Sequence, residues 1–263
     1  MRIEYKKWYS KSLGRVMEYK IYGDGGRSML VFPSQDGRFY DYEDFGMIGV
    51  LTPWIERNEL RVICCDSIDP ETWSSHEGDP RHRIELQERW FRYIIDELIP
   101  SVRRDSETFI TSGCSMGAFH AGNAFFRRPD IFDTLVALSG LYHAGYFFGG
   151  YTDELVYNNS PLDFLKWMPS DHHYWDIYRH RRIICCVGQG DWEEELLAST
   201  RRLDILLKER NVPAWVDYWG YDVAHDWQWW RQQLAYFMGK VLDGTFHPVD
   251  KDIPTTFTDG LGI

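Results

Sequence analysis

Ser115 stands in the pentapeptide Gly113-Cys114-Ser115-Met116-Gly117, two residues from a glycine on either side. A serine hydroxyl is a weak nucleophile, and it gains access to a carbonyl where a sharp strand-to-helix turn exposes its oxygen. Such a turn leaves little room, so the neighbouring positions must lack bulky side chains. The flanks supply the setting: Glu107 to Thr111 reads as a strand, and Ala118 to Ala124 reads as a helix. A helix that begins at the serine also aims its free N–H groups at developing negative charge. The competing reading is a glycine-rich turn whose serine only caps the helix.

A nucleophilic serine needs a general base, and the base needs an orienting carboxylate. In a strand–turn–helix arrangement of this kind the acid and then the histidine follow the serine, each in a loop after a later strand. His143, His172, His173 and His225 stand at loop positions beyond Ser115. His225 follows the strand-like run Trp215 to Trp219 and precedes the last helix, which makes it the expected base. His143 comes too early for that role and is expected near the mouth of the site. His172 and His173 lack the spaced partners of a metal site, and His120 is expected to pack within its helix. For the acid, Asp191 lies just past the run Ile183 to Val187 and is the expected residue. Capping of a helix that begins near Glu193 is its competing role. Glu193, Glu194 and Glu195 are alternatives, although acids at a helix start ordinarily offset the helix dipole. Asp222 and Asp226, beside the histidine, are further alternatives.

These residues need elements to position them. Met1 to Trp8 and Arg15 to Tyr22 read as an antiparallel opening pair of strands. The runs Met29 to Phe32, Arg61 to Cys65, Thr108 to Thr111, Thr134 to Leu138 and Ile183 to Val187 are apolar without alternation, as suits strands buried on both faces. Between them lie helical spacings at Ile84 to Leu98, ending at Pro100, at Ala118 to Arg128, at Glu193 to Arg210 and at Trp227 to Leu242. This alternation predicts one domain with a mostly parallel, doubly wound α/β sheet. Residues 145–180, rich in Tyr and Trp, read as an inserted cap or lid over the carboxyl edge of the sheet. Residues 244–263 read as an irregular tail.

Composition narrows the function classes. The 263 residues carry a formal charge of −11, which disfavours binding to nucleic acid or an anionic membrane. No run of eighteen apolar residues occurs, so no membrane span is expected. Aromatic residues make up 16% of the chain, more than a core alone requires. Four of the five cysteines form the adjacent pairs Cys64-Cys65 and Cys185-Cys186, and both pairs lie inside strand-like runs. That spacing suits core packing rather than zinc. A reduced, cytoplasmic protein is the expectation, with neither a metal nor an organic cofactor.

The chain resembles the esterase D-like group of α/β hydrolases, which includes S-formylglutathione hydrolases, feruloyl and acetylxylan esterases and mycolyltransferases. The resemblance rests on Gly113 to Ala118, on Gly188-Gln189-Gly190-Asp191 and on Gly220 to Trp227, and covers about Met29 to Leu242. It implies an α/β-hydrolase fold and a serine esterase with nucleophile Ser115, acid Asp191 and base His225. The 34-residue interval from Asp191 to His225 is similar to the one in S-formylglutathione hydrolases. One departure is the loop Pro33-Ser34-Gln35-Asp36-Gly37, where a His-Gly type oxyanion loop would stand. Pro33 has no N–H to donate, so the oxyanion donors are expected at the amides of Met116 and Gln35. Trp227, Trp229 and Trp230 after the base and the stretch Tyr142 to Tyr151 near the lid are expected to form an aromatic pocket, with Tyr142, His143 and Trp227 binding substrate, and packing of the last helix against the sheet is the alternative for the tryptophans. The partner is a small-molecule ester, and homo-oligomerisation stays open. An acyltransferase passing the same acyl group to an alcohol or sugar, and a non-catalytic binding protein on this fold, are the competing functions.

Overall fold

In the computed structural model, which describes residues 1–244, the apolar runs become the middle of one eight-stranded sheet. The strands are β1 (Ile3–Ser10), β2 (Arg15–Tyr22), β3 (Arg27–Phe32), β4 (Leu60–Cys65), β5 (Phe109–Cys114), β6 (Phe132–Leu138), β7 (Arg182–Val187) and β8 (Trp215–Tyr218). They lie in the order β1-β2-β4-β3-β5-β6-β7-β8. The opening pair is antiparallel and joins β4 antiparallel, while β3 to β8 run parallel to one another.

The lack of alternation in the central strands follows from burial on both faces. Every residue of β4 and β5 is buried. Successive side chains still point to opposite faces. Met29, Val31, Val62, Cys64, Ile184 and Cys186 pack toward α2 (Met47–Glu56) and α11 (Trp227–Leu242). Leu30, Phe32, Ile63, Cys65, Ile183 and Cys185 pack toward α3 (Pro80–Arg92), α5 (Met116–Arg127) and α10 (Glu194–Glu209). Each adjacent cysteine pair is therefore split between the two faces, and all five thiols are free and buried.

One helix departs from expectation. It begins at Pro80, capped by the Asp79 side chain, which accepts from the Arg81 N–H at 3.0 Å. Nor does it stop at Pro100. A π-helical stretch, Tyr93–Leu98, leads into α4 (Ile99–Val102), and this wider turn accommodates a residue with no N–H to donate. The short helix α1 (Asp41–Asp44) precedes α2. The segment read as a cap folds as α6 (Gly145–Phe148), α7 (Glu154–Asn158), α8 (Pro161–Trp167) and α9 (Tyr174–Arg179), between β6 and β7. Phe148 and Val156 seat α6 and α7 on Trp73 and Phe119, while Leu165, Trp175 and Tyr178 join the main core. Residues 245–263 of the expected tail lie outside the described residues.

Candidate active site

Ser115 joins β5 to α5 with φ 57° and ψ −122°, a strained region for a residue with a side chain. Its N–H donates to the Leu138 carbonyl at 2.9 Å, and its own carbonyl accepts from the Ala118 N–H at 3.0 Å. The two glycines of the motif are required by backbone approach. A Cβ on Gly113 would lie 2.3 Å from the Gly117 carbonyl carbon, and one on Gly117 would lie 2.4 Å from the Phe32 oxygen. The turn closes only because neither position carries a side chain.

His225, the expected base, faces the serine. His225 Nε2 lies 2.9 Å from Ser115 Oγ. The carboxylate on its other side is Glu193, whose Oε2 is 3.3 Å from His225 Nδ1. Both of these atoms are buried, and neither has another polar partner among the described residues. The second oxygen, Oε1, accepts the Ser139 hydroxyl at 2.5 Å. Ser139 Oγ in turn accepts the Trp230 indole N–H at 3.1 Å, and the Trp230 ring packs perpendicular to the His225 imidazole, with centroids 4.7 Å apart. One polar chain thus runs from Trp230 through Ser139, Glu193 and His225 to Ser115.

The expectation for Asp191 is corrected here. Asp191 is exposed, and its carboxylate forms no hydrogen bond or ion pair among the described residues. The reason lies in the next residue. Trp192 has φ 69°, and the left-handed turn there swings the following side chain inward, so Glu193 is only 1% exposed. Glu193 occupies the N-cap position of α10 without capping it. Asp191 contributes its carbonyl instead, which accepts the His225 N–H at 3.0 Å. Gly190 N–H donates to the Val223 carbonyl at 2.9 Å and Gln189 Nε2 to the Trp219 carbonyl at 2.8 Å, so the two loops are zipped together. A Cβ on Gly188 would meet the Val223 oxygen at 2.1 Å.

A cleft of about 300 Å³ opens on Ser115 and His225, lined by Gln35, Met116, Leu141, Tyr146, Phe147, Trp192, Glu195 and Leu196. Gln35 and Met116 therefore both line the cleft that opens on Ser115. The Gln35 N–H donates to no group among the described residues, and Met116 opens α5, where an N–H has no partner within the helix. Asp36, beside Gln35, has φ 58°, and Ser139 has φ 54°. Four residues with left-handed backbone (Asp36, Ser115, Ser139 and Trp192) thus follow the ends of β3, β5, β6 and β7.

Tyr142, His143 and Trp227 are not among the residues lining this cleft. Tyr142 is fully buried, with its ring against Gly122 and Gly140. The His143 imidazole lies 3.4 Å from Asp163 and faces a separate cleft with Lys166, Arg202 and Arg210. Trp227 stacks on Phe45 with centroids 4.4 Å apart. The aromatic walls come from Tyr146 and Phe147 of α6, within the expected stretch Tyr142 to Tyr151, and from Trp192. His120 is a buried partner of Asp69 at 2.8 Å, and His172 stacks on His173 away from the cleft. Among the described residues no group of three or more His, Cys, Asp or Glu could hold a metal ion, and no helix is long and apolar enough to cross a membrane.

Residues 10–240 match the family model described as "Putative esterase". A search of curated proteins finds no match. Among solved structures the chain is similar to a ferulic acid esterase, with a TM-score of 0.70 at 15% identity, over 92% of this chain and 97% of that one. It is also similar to an S-formylglutathione hydrolase from Agrobacterium tumefaciens, with a TM-score of 0.69 at 12% identity, over 92% and 94%. The enterobactin esterase of Shigella flexneri superposes with a TM-score of 0.65 at 19% identity, over 94% of this chain and 60% of that one. The fold is that of the α/β hydrolases, the chain belongs to the esterase family, and it is a carboxylic ester hydrolase.

Proposed function

We propose that the chain hydrolyses a small-molecule carboxylic ester through a triad of Ser115, His225 and Glu193 and an acyl-enzyme intermediate. The observation that carries the proposal is the 2.9 Å approach of His225 Nε2 to Ser115 Oγ, with a buried carboxylate at the other ring nitrogen. His225 takes the hydroxyl proton as Ser115 Oγ attacks the ester carbonyl. The amides of Met116 and Gln35 hold the oxyanion, and each such donor contributes about 2.7–4 kcal/mol of transition-state stabilisation. His225 then gives its proton to the departing alcohol. Water, deprotonated by the same imidazole, attacks the acyl-enzyme, releasing the acid and restoring Ser115. Glu193 keeps the proton of the neutral ring on Nδ1 and stabilises the imidazolium, with Ser139 and Trp230 fixing the carboxylate.

The test is labelling with a fluorophosphonate probe and turnover of p-nitrophenyl acetate and longer esters, beside Ser115→Ala. Labelling and turnover are expected in the wild type and not in the variant. A wild type that neither labels nor outpaces Ser115→Ala on any ester refutes the mechanism.

A further inference from the structure

The cleft has an unusual charge pattern for a chain with 29 Lys and Arg. Every residue that lines it lies within 33–37, 115–126, 139–165, 183–200 or 211–230, and none of these segments contains a Lys or an Arg. Basic groups of the flanking elements are engaged elsewhere. Arg83 is buried behind α6, donating to the carbonyls of Thr72, Trp73 and Phe147, and Arg38 is paired with Asp66 and Glu18. Lys166, Arg202 and Arg210 face the separate cleft beside His143.

Carboxylates elsewhere occur both bridged by arginine, as in Glu71 with Arg15, Glu88 with Arg127 and Asp153 with Arg81, and unpaired among the described residues, as at Asp44, Asp105, Glu154 and Asp171. In the two loops that carry the triad acid and base and in the first turn of α10, the side chains of Asp191, Glu194, Glu195 and Asp222 have no hydrogen-bonding or ion-pair partner among the described residues. Among the described residues Glu195 is the one carboxylate that lines the cleft. Beside it stand Trp192, 81% exposed in its strained turn, and Tyr146, 63% exposed. A large ring held in water at a site mouth leaves apolar area uncovered, and strain retained at a cleft points toward function. Exposed indole and phenol faces beside an unpaired carboxylate attract a cation through the ring quadrupole and the formal charge together.

We infer that the cleft accepts an ester bearing an ammonium group, with the cation held by Glu195, Trp192 and Tyr146, and that it rejects anionic esters. This rests on the serine-hydrolase reading above. The competing account is that the acids only offset the dipole of α10, in which case turnover is blind to substrate charge.

The test uses two pairs of esters that differ only by replacement of a quaternary nitrogen with carbon. One pair carries the group on the alcohol, as butyrylcholine and 3,3-dimethylbutyl butyrate. The other carries it on the acyl chain of a p-nitrophenyl ester. In at least one pair the cationic member is expected to have a kcat/KM about tenfold higher, the range of one exposed cation–π contact plus one surface ion pair. An alcohol-side sulfonate analogue is expected to be slower than either butyrate. Glu195→Gln lowers the cationic-to-neutral ratio, and Glu195→Lys inverts it. Ratios near one in both pairs, or a ratio that survives Glu195→Lys, overturn the inference. Fluorophosphonate labelling separates the two failures. Labelled Ser115 with charge-blind turnover removes only the cation preference, whereas an unlabelled, inactive protein removes the hydrolytic mechanism and this inference with it.

Discussion

Replacing Glu193 by glutamine changes one atom and nearly no volume, so it isolates what the carboxylate charge does. Ser139 Oγ already accepts the Trp230 N–H, so its own proton needs an acceptor, which is Glu193 Oε1 at 2.5 Å. In the glutamine variant the amide oxygen must take that place. The amide NH₂ then faces His225 Nδ1, which has no alternative partner. A donor there forces a lone pair onto Nδ1 and moves the ring proton to Nε2, opposite Ser115 Oγ at 2.9 Å. The imidazole then meets the serine with a proton where it needs a lone pair. A wrong-tautomer triad loses about 10³–10⁴ in kcat, or about 4–5.5 kcal/mol of transition-state stabilisation. Asp191→Asn alters an exposed side chain without partners, and kcat is expected to stay within about threefold of wild type. The assay is steady-state turnover of a p-nitrophenyl ester by wild type and both variants, with thermal unfolding as the control for fold. A large loss in Asp191→Asn beside near-normal Glu193→Gln would refute the assignment and the tautomer argument.

Ser139→Ala removes the donor to Glu193 and leaves the Trp230 N–H buried without its acceptor. Thermal or denaturant unfolding should show a loss of about 1–3 kcal/mol, and kcat should fall with KM little changed. Gly117→Ala pushes a methyl to 2.4 Å from the Phe32 oxygen and must separate the elbow from the loop carrying Gln35. A displacement of about 1 Å there is expected to reduce kcat about 10²-fold; unchanged kinetics would show that the turn tolerates a Cβ. Burial raises the cysteine thiols, Cys185 to about 12. A thiol reagent such as DTNB should therefore find none of the five in the native protein and all five after unfolding.

The approach of Ser115 and His225 was legible because their positions depend on chain order and on element type. A serine between two glycines must sit at a strand-to-helix turn, and a histidine after the last strand must reach the same sheet edge. The carboxylate beside His225 stands two residues past the expected Asp191 because its direction depends on one backbone angle. Nothing in Asp191-Trp192-Glu193-Glu194-Glu195 reveals that Trp192 adopts φ 69° and turns its successor inward. The cleft lining was legible as the stretch Tyr142 to Tyr151 but not residue by residue, for a related reason. Residues 140–148 alternate between core and cleft within a few positions, so Leu141, Tyr146 and Phe147 line the cleft while Tyr142 is sealed in the core. Helix α2 was not read because Pro53 lies inside it, where a proline ordinarily argues against a helix. The parallel sheet was legible throughout, since burial on both faces leaves unbroken apolar runs that few other settings permit.

The left-handed residues at the ends of β3, β5, β6 and β7 have a consequence for heat resistance. Each costs about 1–3 kcal/mol, and all four draw on the packing of one sheet edge. At the opposite edge the positive-φ residues that precede β4, β5 and β8 are Asn58, Asp105 and Asn211, types that adopt this region readily, whereas Ser115, Ser139 and Trp192 do not, so local opening is expected to take less energy at the edge that carries Ser115. On warming, activity should fade before the protein melts, and the gap between those two temperatures measures the energy stored in the loops. Natural or engineered variants that raise the melting temperature through the helical layers would leave that gap wider, because they reinforce a part of the molecule that does not limit its working life.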